Sequence, residues 1–120
     1  MAISFPASAQ RVLSPTGSID AEGLATCLGL RASELSRALG VATSTVTRGA
    51  HSPRAQEQMR TLYSLFVRVA QLFTGNEEHA RVWLNAPNPE LDFKRPIDYV
   101  VNGRWAVLAA FLSSVEQGAP

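Results

Sequence analysis

Three prolines, Pro87, Pro89 and Pro96, fall inside the stretch Trp83–Gly103, WLNAPNPELDFKRPIDYVVNG. Each removes a backbone donor and pushes the residue before it out of the helical region. The stretch therefore cannot be one helix. It reads as a helix end before Pro87, an ordered loop through Asn88 and Leu91, and a short helix that opens at Pro96 and stops near Asn102–Gly103. A disordered linker would lack Trp83, Leu91, Phe93, Ile97 and Tyr99, so these five are expected as anchors that pin the loop to a core.

The rest of the chain supplies that core through helices. Ser18 can cap a first helix from about Ile19 to Leu28, closed by Gly29, with Leu24, Cys27 and Leu28 inward. Ser52 as N-cap and Pro53 at the first helical position open the longest helix. Along it Met59, Leu62, Tyr63, Phe66, Val69, Ala70 and Phe73 keep the helical period, and Leu65, Val67 and Leu72 lie off that stripe. A helix apolar on more than one side is buried on more than one side, so the spare face is assigned to a subunit interface. Thr74–Gly75 ends it. Asn76 caps the next helix, with Glu77 and Glu78 in the first turn, where the helix dipole favours negative charge. The last helix, from about Arg104 to Gln117, turns Trp105, Leu108, Ala109, Leu112 and Val115 inward, while Ala106, Val107 and Phe111 widen the face.

Ala32–Gly49, ASELSRALGVATSTVTRG, has the spacing of a helix-turn-helix. Leu35 and Leu39 face inward on its first helix, Gly40–Val41 form the turn, and Val46 closes the wedge from the second helix. In this motif the second helix enters the major groove. That exposes Thr43, Ser44, Thr47 and Arg48, with Arg54 just beyond; Arg48 suits guanine, and the hydroxyls suit bases or phosphates. Two features depart from the motif's strongest forms: Arg31 and Ala42 stand where Ser or Thr caps are usual, and the second helix holds a single basic residue. A helix pair kept as scaffold after DNA binding was lost is the alternative. A module this small binds DNA weakly alone, so operator binding would require a homodimer.

Net charge is +1, which by itself points to no nucleic acid, and no apolar run approaches a membrane span. The first ten residues lack the basic start of a secretory signal, and Cys27 is the lone cysteine, so a cytoplasmic protein without disulfides is expected. Enzymatic readings find little support. His51 and His79 lie in different elements without metal-ligand spacing, and no Gly-rich phosphate loop with a following lysine occurs. Neither catalytic residues, a metal nor a cofactor is expected.

Trp83–Leu84, Pro87–Asn88, Leu91, Pro96, Asp98 and Gly103, followed by an apolar helix, resemble the C-terminal toxin-binding domain of Xre/MbcA/ParS-type antitoxins. The resemblance covers roughly the last third of the chain and the helix before it. It implies a protein partner, a RES-domain toxin that consumes NAD or uses it to modify proteins, and inhibition by occluding that toxin's active site. It also implies that the C-terminal tail, which in such antitoxins approaches the toxin's cleft, lies near the partner.

The expected fold is all-α, of about seven helices. A flexible arm (residues 1–17, docking if at all through Ile3, Phe5 or Val12) leads into the helix-turn-helix (18–52). A connecting helix (53–74) and a toxin-binding domain (75–120) follow. The candidate toxin-binding residues are Trp83, Asn88 and Leu91, which fix the loop, the rim charges Lys94, Arg95 and Arg104, and Pro120. The expected partners are a RES-domain toxin and operator DNA, with the chain a homodimer inside a hetero-oligomer. A stand-alone dimeric helix-turn-helix regulator is the other reading of the same residues.

Overall fold

The computed structural model describes residues 6–118. Its regular structure is helical: α1 Ala9–Val12, α2 Ala21–Leu28, α3 Ala32–Leu39, α4 Thr43–Thr47, α5 Pro53–Leu72, α6 Glu77–Asn85, α7 Pro96–Val101 and α8 Trp105–Glu116, with a 3-10 turn at Pro89–Leu91. The fold is all-α. The helix beyond the expected seven is α1.

Helix α5 is the spine. Ser52 Oγ accepts from the Ala55 N–H at 3.2 Å and Pro53 occupies the first turn, as their types require. Met59, Leu62, Tyr63, Phe66, Val69 and Ala70 are all buried, and α5 packs against α2, α3, α6 and α8. Each of the larger side chains contributes about 1.5–3 kcal/mol on full burial. The off-stripe Leu65 is buried as well, while Val67 and Leu72 are only partly covered.

Helix α3 packs on α4 around Leu35, Leu39 and Val46, all buried, with Gly40 at φ 70° making the turn. Only a residue without Cβ takes that backbone conformation at no cost. Small Ser36 is also buried there; its hydroxyl donates to the Ser33 carbonyl at 2.7 Å and lies 3.2 Å from Thr43 Oγ1. Neither Arg31 nor Ala42 caps with its side chain. Instead Glu34 reaches back to accept from the Arg31 N–H at 3.0 Å.

Two expectations for the N-terminal part change. The first long helix starts at Ala21, capped by Asp20 Oδ2, which accepts from the Gly23 N–H at 3.0 Å, and not by Ser18. Ile19 is held outside the helix because Gln56 binds both of its backbone groups. Gln56 Oε1 accepts from the Ile19 N–H at 2.7 Å, and Nε2 donates to the Ile19 and Ala50 carbonyls at 3.1 and 3.2 Å.

The expected flexible arm is folded over its described part, residues 6–17. Val12 is fully buried, and the Ser8 N–H donates to Glu77 at 2.9 Å while its hydroxyl binds Glu77 and, at 2.8 Å, Tyr63. Helix α1 lies so close to α2 that a Cβ on Gly23 would stand 2.1 Å from the Arg11 carbonyl oxygen. Ile3 and Phe5 lie outside the described residues. Cys27 sits beside this cluster, and burial raises its thiol pKa, against the lowering effect of the Ser8 hydroxyl.

Helix α7 touches both halves of the chain, packing on α3 as well as on α6 and α8. Arg37 at the end of α3 donates from Nη2 to Asn102 Oδ1, just past α7, at 3.0 Å. From α6, Arg81 donates to the Cys27 carbonyl at 3.1 Å and Asn85 to the Leu28 carbonyl at 3.2 Å. These close carbonyls that the end of α2 leaves without helical partners.

Candidate functional site

The proline-bearing connection from α6 to α7 is an ordered loop closed by Asn88. Its N–H donates to the Lys94 carbonyl at 3.0 Å, its carbonyl accepts from the Phe93 N–H at 2.9 Å, and its side-chain oxygen accepts from the Glu90 N–H at 2.9 Å. Leu91 is buried beneath this clasp. The Arg95 N–H then donates to Asp98 Oδ2 at 3.1 Å, and its guanidinium to Asp98 Oδ1 at 2.8 Å, so α7 starts from a cap that the Arg95–Pro96 junction carries itself. The Arg95 guanidinium holds the Asp98 carboxyl below its ordinary pKa. At the far end Gly103, at φ 73°, reverses the chain, and Trp105 Nε1 donates to the Val100 carbonyl at 2.8 Å.

Phe93 departs from the expected anchor role. Its ring is 71% exposed, while Ile97 is fully buried and Tyr99 partly so. Asp92 and Phe93 are consecutive non-glycine residues with φ of 56° and 62°. Such a conformation costs about 1 kcal/mol or more per residue. The clasp thus turns a large aromatic ring to the outside at the expense of backbone strain. Asp92 is of a type that tolerates the left-handed region, but nothing in the residue order marks Phe93, a bulky aromatic, for the same conformation.

Trp83 likewise differs from a sealed anchor. It is partly buried, its ring parallel to Phe111 of α8 at 12° with centroids 6.2 Å apart. The two rings stand in a groove of about 680 Å³, with Leu72 and Phe73 of the α5 end, Pro87, Asn88 and Pro89 of the loop, and Val115 near the end of α8. That size and apolar lining suit a docked side chain or short peptide segment. Arg68 of α5 grips Glu116 with two hydrogen bonds, of 2.7 and 3.1 Å, and so fixes the α8 end that carries Val115. The same contact holds the Glu116 carboxyl below its ordinary pKa. Val82, next to Trp83, is 62% exposed.

The rim charges separate. Arg95 is committed to Asp98 and is not a free rim cation. Lys94 and Arg104 are exposed, with the Arg104 guanidinium 5.5 Å from the Tyr99 ring centroid, and both line a pocket other than the aromatic groove. Pro120 lies outside the described residues. On the other half of the molecule Thr43, Ser44, Thr47, Arg48 and Arg54 are all exposed. Thr47 spends its hydroxyl on the Ser44 carbonyl at 3.1 Å. His51 and His79 are both exposed and lie apart, His79 edge-on to Phe73 at 5.9 Å. Among the described residues no group of three or more His, Cys, Asp or Glu is gathered for a metal ion, and no helix is long and apolar enough to cross a membrane.

The groove and the clasp fall within residues 68–108 and the two α8 positions beyond them. That segment matches the antitoxin Xre/MbcA/ParS C-terminal toxin-binding domain. The match covers about a third of the chain. The matched segment begins inside α5 and ends in α8, so it spans α6, the Asn88 clasp and α7 whole. In fold, the chain is similar to a chain of the crystal structure of the M. tuberculosis MbcT–MbcA toxin–antitoxin complex. The TM-score is 0.58 at 20% identity, over 83% of this chain and 93% of that one. No curated protein matches the chain.

Proposed function

We propose that the chain is the antitoxin of a toxin–antitoxin pair and that it docks its toxin through the Trp83–Phe111 groove and the exposed Phe93. One observation carries the reading: an apolar groove and an outward-facing aromatic ring coincide with the segment that matches a toxin-binding antitoxin domain. An aromatic ring left in water on a strained loop is explained by a partner that covers it, since aromatic anchors dominate interface energetics. The fold neighbour is itself part of a toxin–antitoxin complex, which supports the same reading.

At the finer level, the toxin is a RES-domain enzyme that handles NAD, and inhibition is steric: the chain occupies the entrance to the active site and performs no chemistry. The exposed Thr43, Ser44, Thr47, Arg48 and Arg54 support a second role, repression of the chain's own operon as a homodimer.

Affinity purification of the tagged chain from its native cells tests both levels. A stoichiometric partner that consumes NAD only after release is the expected result. A partner without NAD chemistry would retain the antitoxin and remove the RES assignment. Recovery of the chain alone, as a dimer holding one DNA fragment, would replace the antitoxin reading with that of a stand-alone regulator.

A further inference from the structure

Lys94 and Arg104 lie beside Asp98, Tyr99 and Asn102 around a pocket of about 280 Å³. Arg104 is held over the Tyr99 ring, and neither cation has a carboxylate within ion-pair distance among the described residues. The pocket's one acid, Asp98, is already gripped by Arg95. Asn102 belongs to this pocket and also to the groove between α3 and α7, where Arg37 and Gly40 stand. Arg37 reaches Asn102 at 3.0 Å and likewise has no acidic partner. Among the described residues, three cations without an ion-pair partner therefore line the two adjoining pockets between the proline-bearing loop and Gly40, the turn residue of the helix-turn-helix. Of the nearby acids, Asp92 on the loop does not line the pocket, and Glu34 serves the start of α3.

We infer that Lys94, Arg104 and Arg37 form a track for the phosphodiester backbone of duplex DNA, contiguous with the helix-turn-helix. The site rests on the proposed DNA-binding role of that motif, and it moves Lys94 and Arg104 from the toxin rim to the nucleic-acid side. The chemistry favours phosphate. The Arg104 guanidinium, 5.5 Å from the Tyr99 ring centroid, presents a planar fork of N–H donors that suits phosphate, and Lys94 lines the same pocket as a point charge. A protein partner would more naturally be met by the apolar groove, to which neither residue contributes. Backbone contacts of this kind set register and orientation without reading sequence.

The test uses the full chain and a fluorescent random-sequence duplex of about 30 base pairs, titrated between about 50 and 200 mM salt. Each phosphate contact contributes about 0.9 to the slope of log affinity against log salt. The double variant Lys94→Gln/Arg104→Gln should flatten that slope by about 1.8 and still capture the protein partner at wild-type strength. Arg11→Gln, an exposed cation on α1, should change it far less. An unchanged slope in the double variant overturns the inference, whether or not partner capture fails with it; so does an equal flattening by Arg11→Gln, which would mark a net-charge effect. Arg48→Ala keeps the two levels apart. If it weakens DNA binding while the double variant does not, the helix-turn-helix reading stands and the backbone track falls. If the wild-type chain shows no salt-dependent binding, both fall.

Discussion

Replacing Phe93 by alanine should separate docking from folding. The ring is 71% exposed in the free chain, so little of it contributes to the core. Fully burying a Phe side chain is worth about 1.5–3 kcal/mol, and covering the exposed share recovers about two-thirds of that, or roughly 1–2 kcal/mol. Loss of that term weakens the complex about 5- to 30-fold. Stability should stay within about 0.5 kcal/mol of wild type, since alanine keeps a Cβ at the same left-handed φ and leaves the strain in place. Phe93→Gly removes the ring and the strain together; it should lose the same affinity, while the relieved φ offsets glycine's greater chain entropy. The assay pairs calorimetric titration against the co-purified partner with thermal unfolding of the free chain. Wild-type affinity in both variants would show that the partner leaves Phe93 uncovered, and a fall of more than about 2 kcal/mol in the stability of Phe93→Ala would make it a core residue; either would refute the reasoning.

Three further outcomes follow from the packing. Trp83→Ala should cost about 1.5–2.5 kcal/mol in chemical denaturation, less than the 3–5 of a sealed tryptophan, because one face of the ring opens into the groove; the partner affinity should fall as well. Gly23→Ala should destabilise the chain by about 1–3 kcal/mol, opposite in sign to helix propensity, because the new methyl meets the Arg11 carbonyl; a raised melting temperature would show that α1 yields freely. Asp98→Asn should lower stability at neutral pH by about 1 kcal/mol through the weakened cap of α7. The Asp98 carboxyl lies below its ordinary value of 3.8 in the fold. Its contribution is therefore complete above that value and lost as pH falls through the folded one. Denaturation midpoints of the wild type should thus fall more steeply than those of Asp98→Asn below about pH 4.

Much of this architecture is legible in the order of residues because local chemistry decides it. Ser52–Pro53, Asn76, Pro87, Pro96 and Gly40 each act within their own turn, and the α5 stripe needs only its period. What sequence reasoning missed depends on contacts across the chain. The folding of residues 6–17 hangs on Ser8 meeting Glu77 and Tyr63, and the shift of the first cap to Asp20 hangs on Gln56 holding Ile19. The site shows the same division. Leu91 is buried as its place in the loop implies, and Arg95 is lost to Asp98 through a pair three residues apart. The outward turn of Phe93 comes from positive φ at Asp92 and at Phe93 itself, and a bulky aromatic carries no mark of it. The groove needs Phe111 of α8 to meet Trp83 of α6, a pairing that neither helix's own period specifies.

Because α7 rests on α3 from one side and on α6 and α8 from the other, the chain does not divide into interchangeable parts. A chimera that exchanged residues before α5 for an unrelated helical module would remove the α3 packing from α7 and cut the Arg37–Asn102 link. Changes to the exposed residues of α4, by contrast, leave the α3–α7 packing untouched. Recombination at the helix boundary would disturb the loop that presents Phe93.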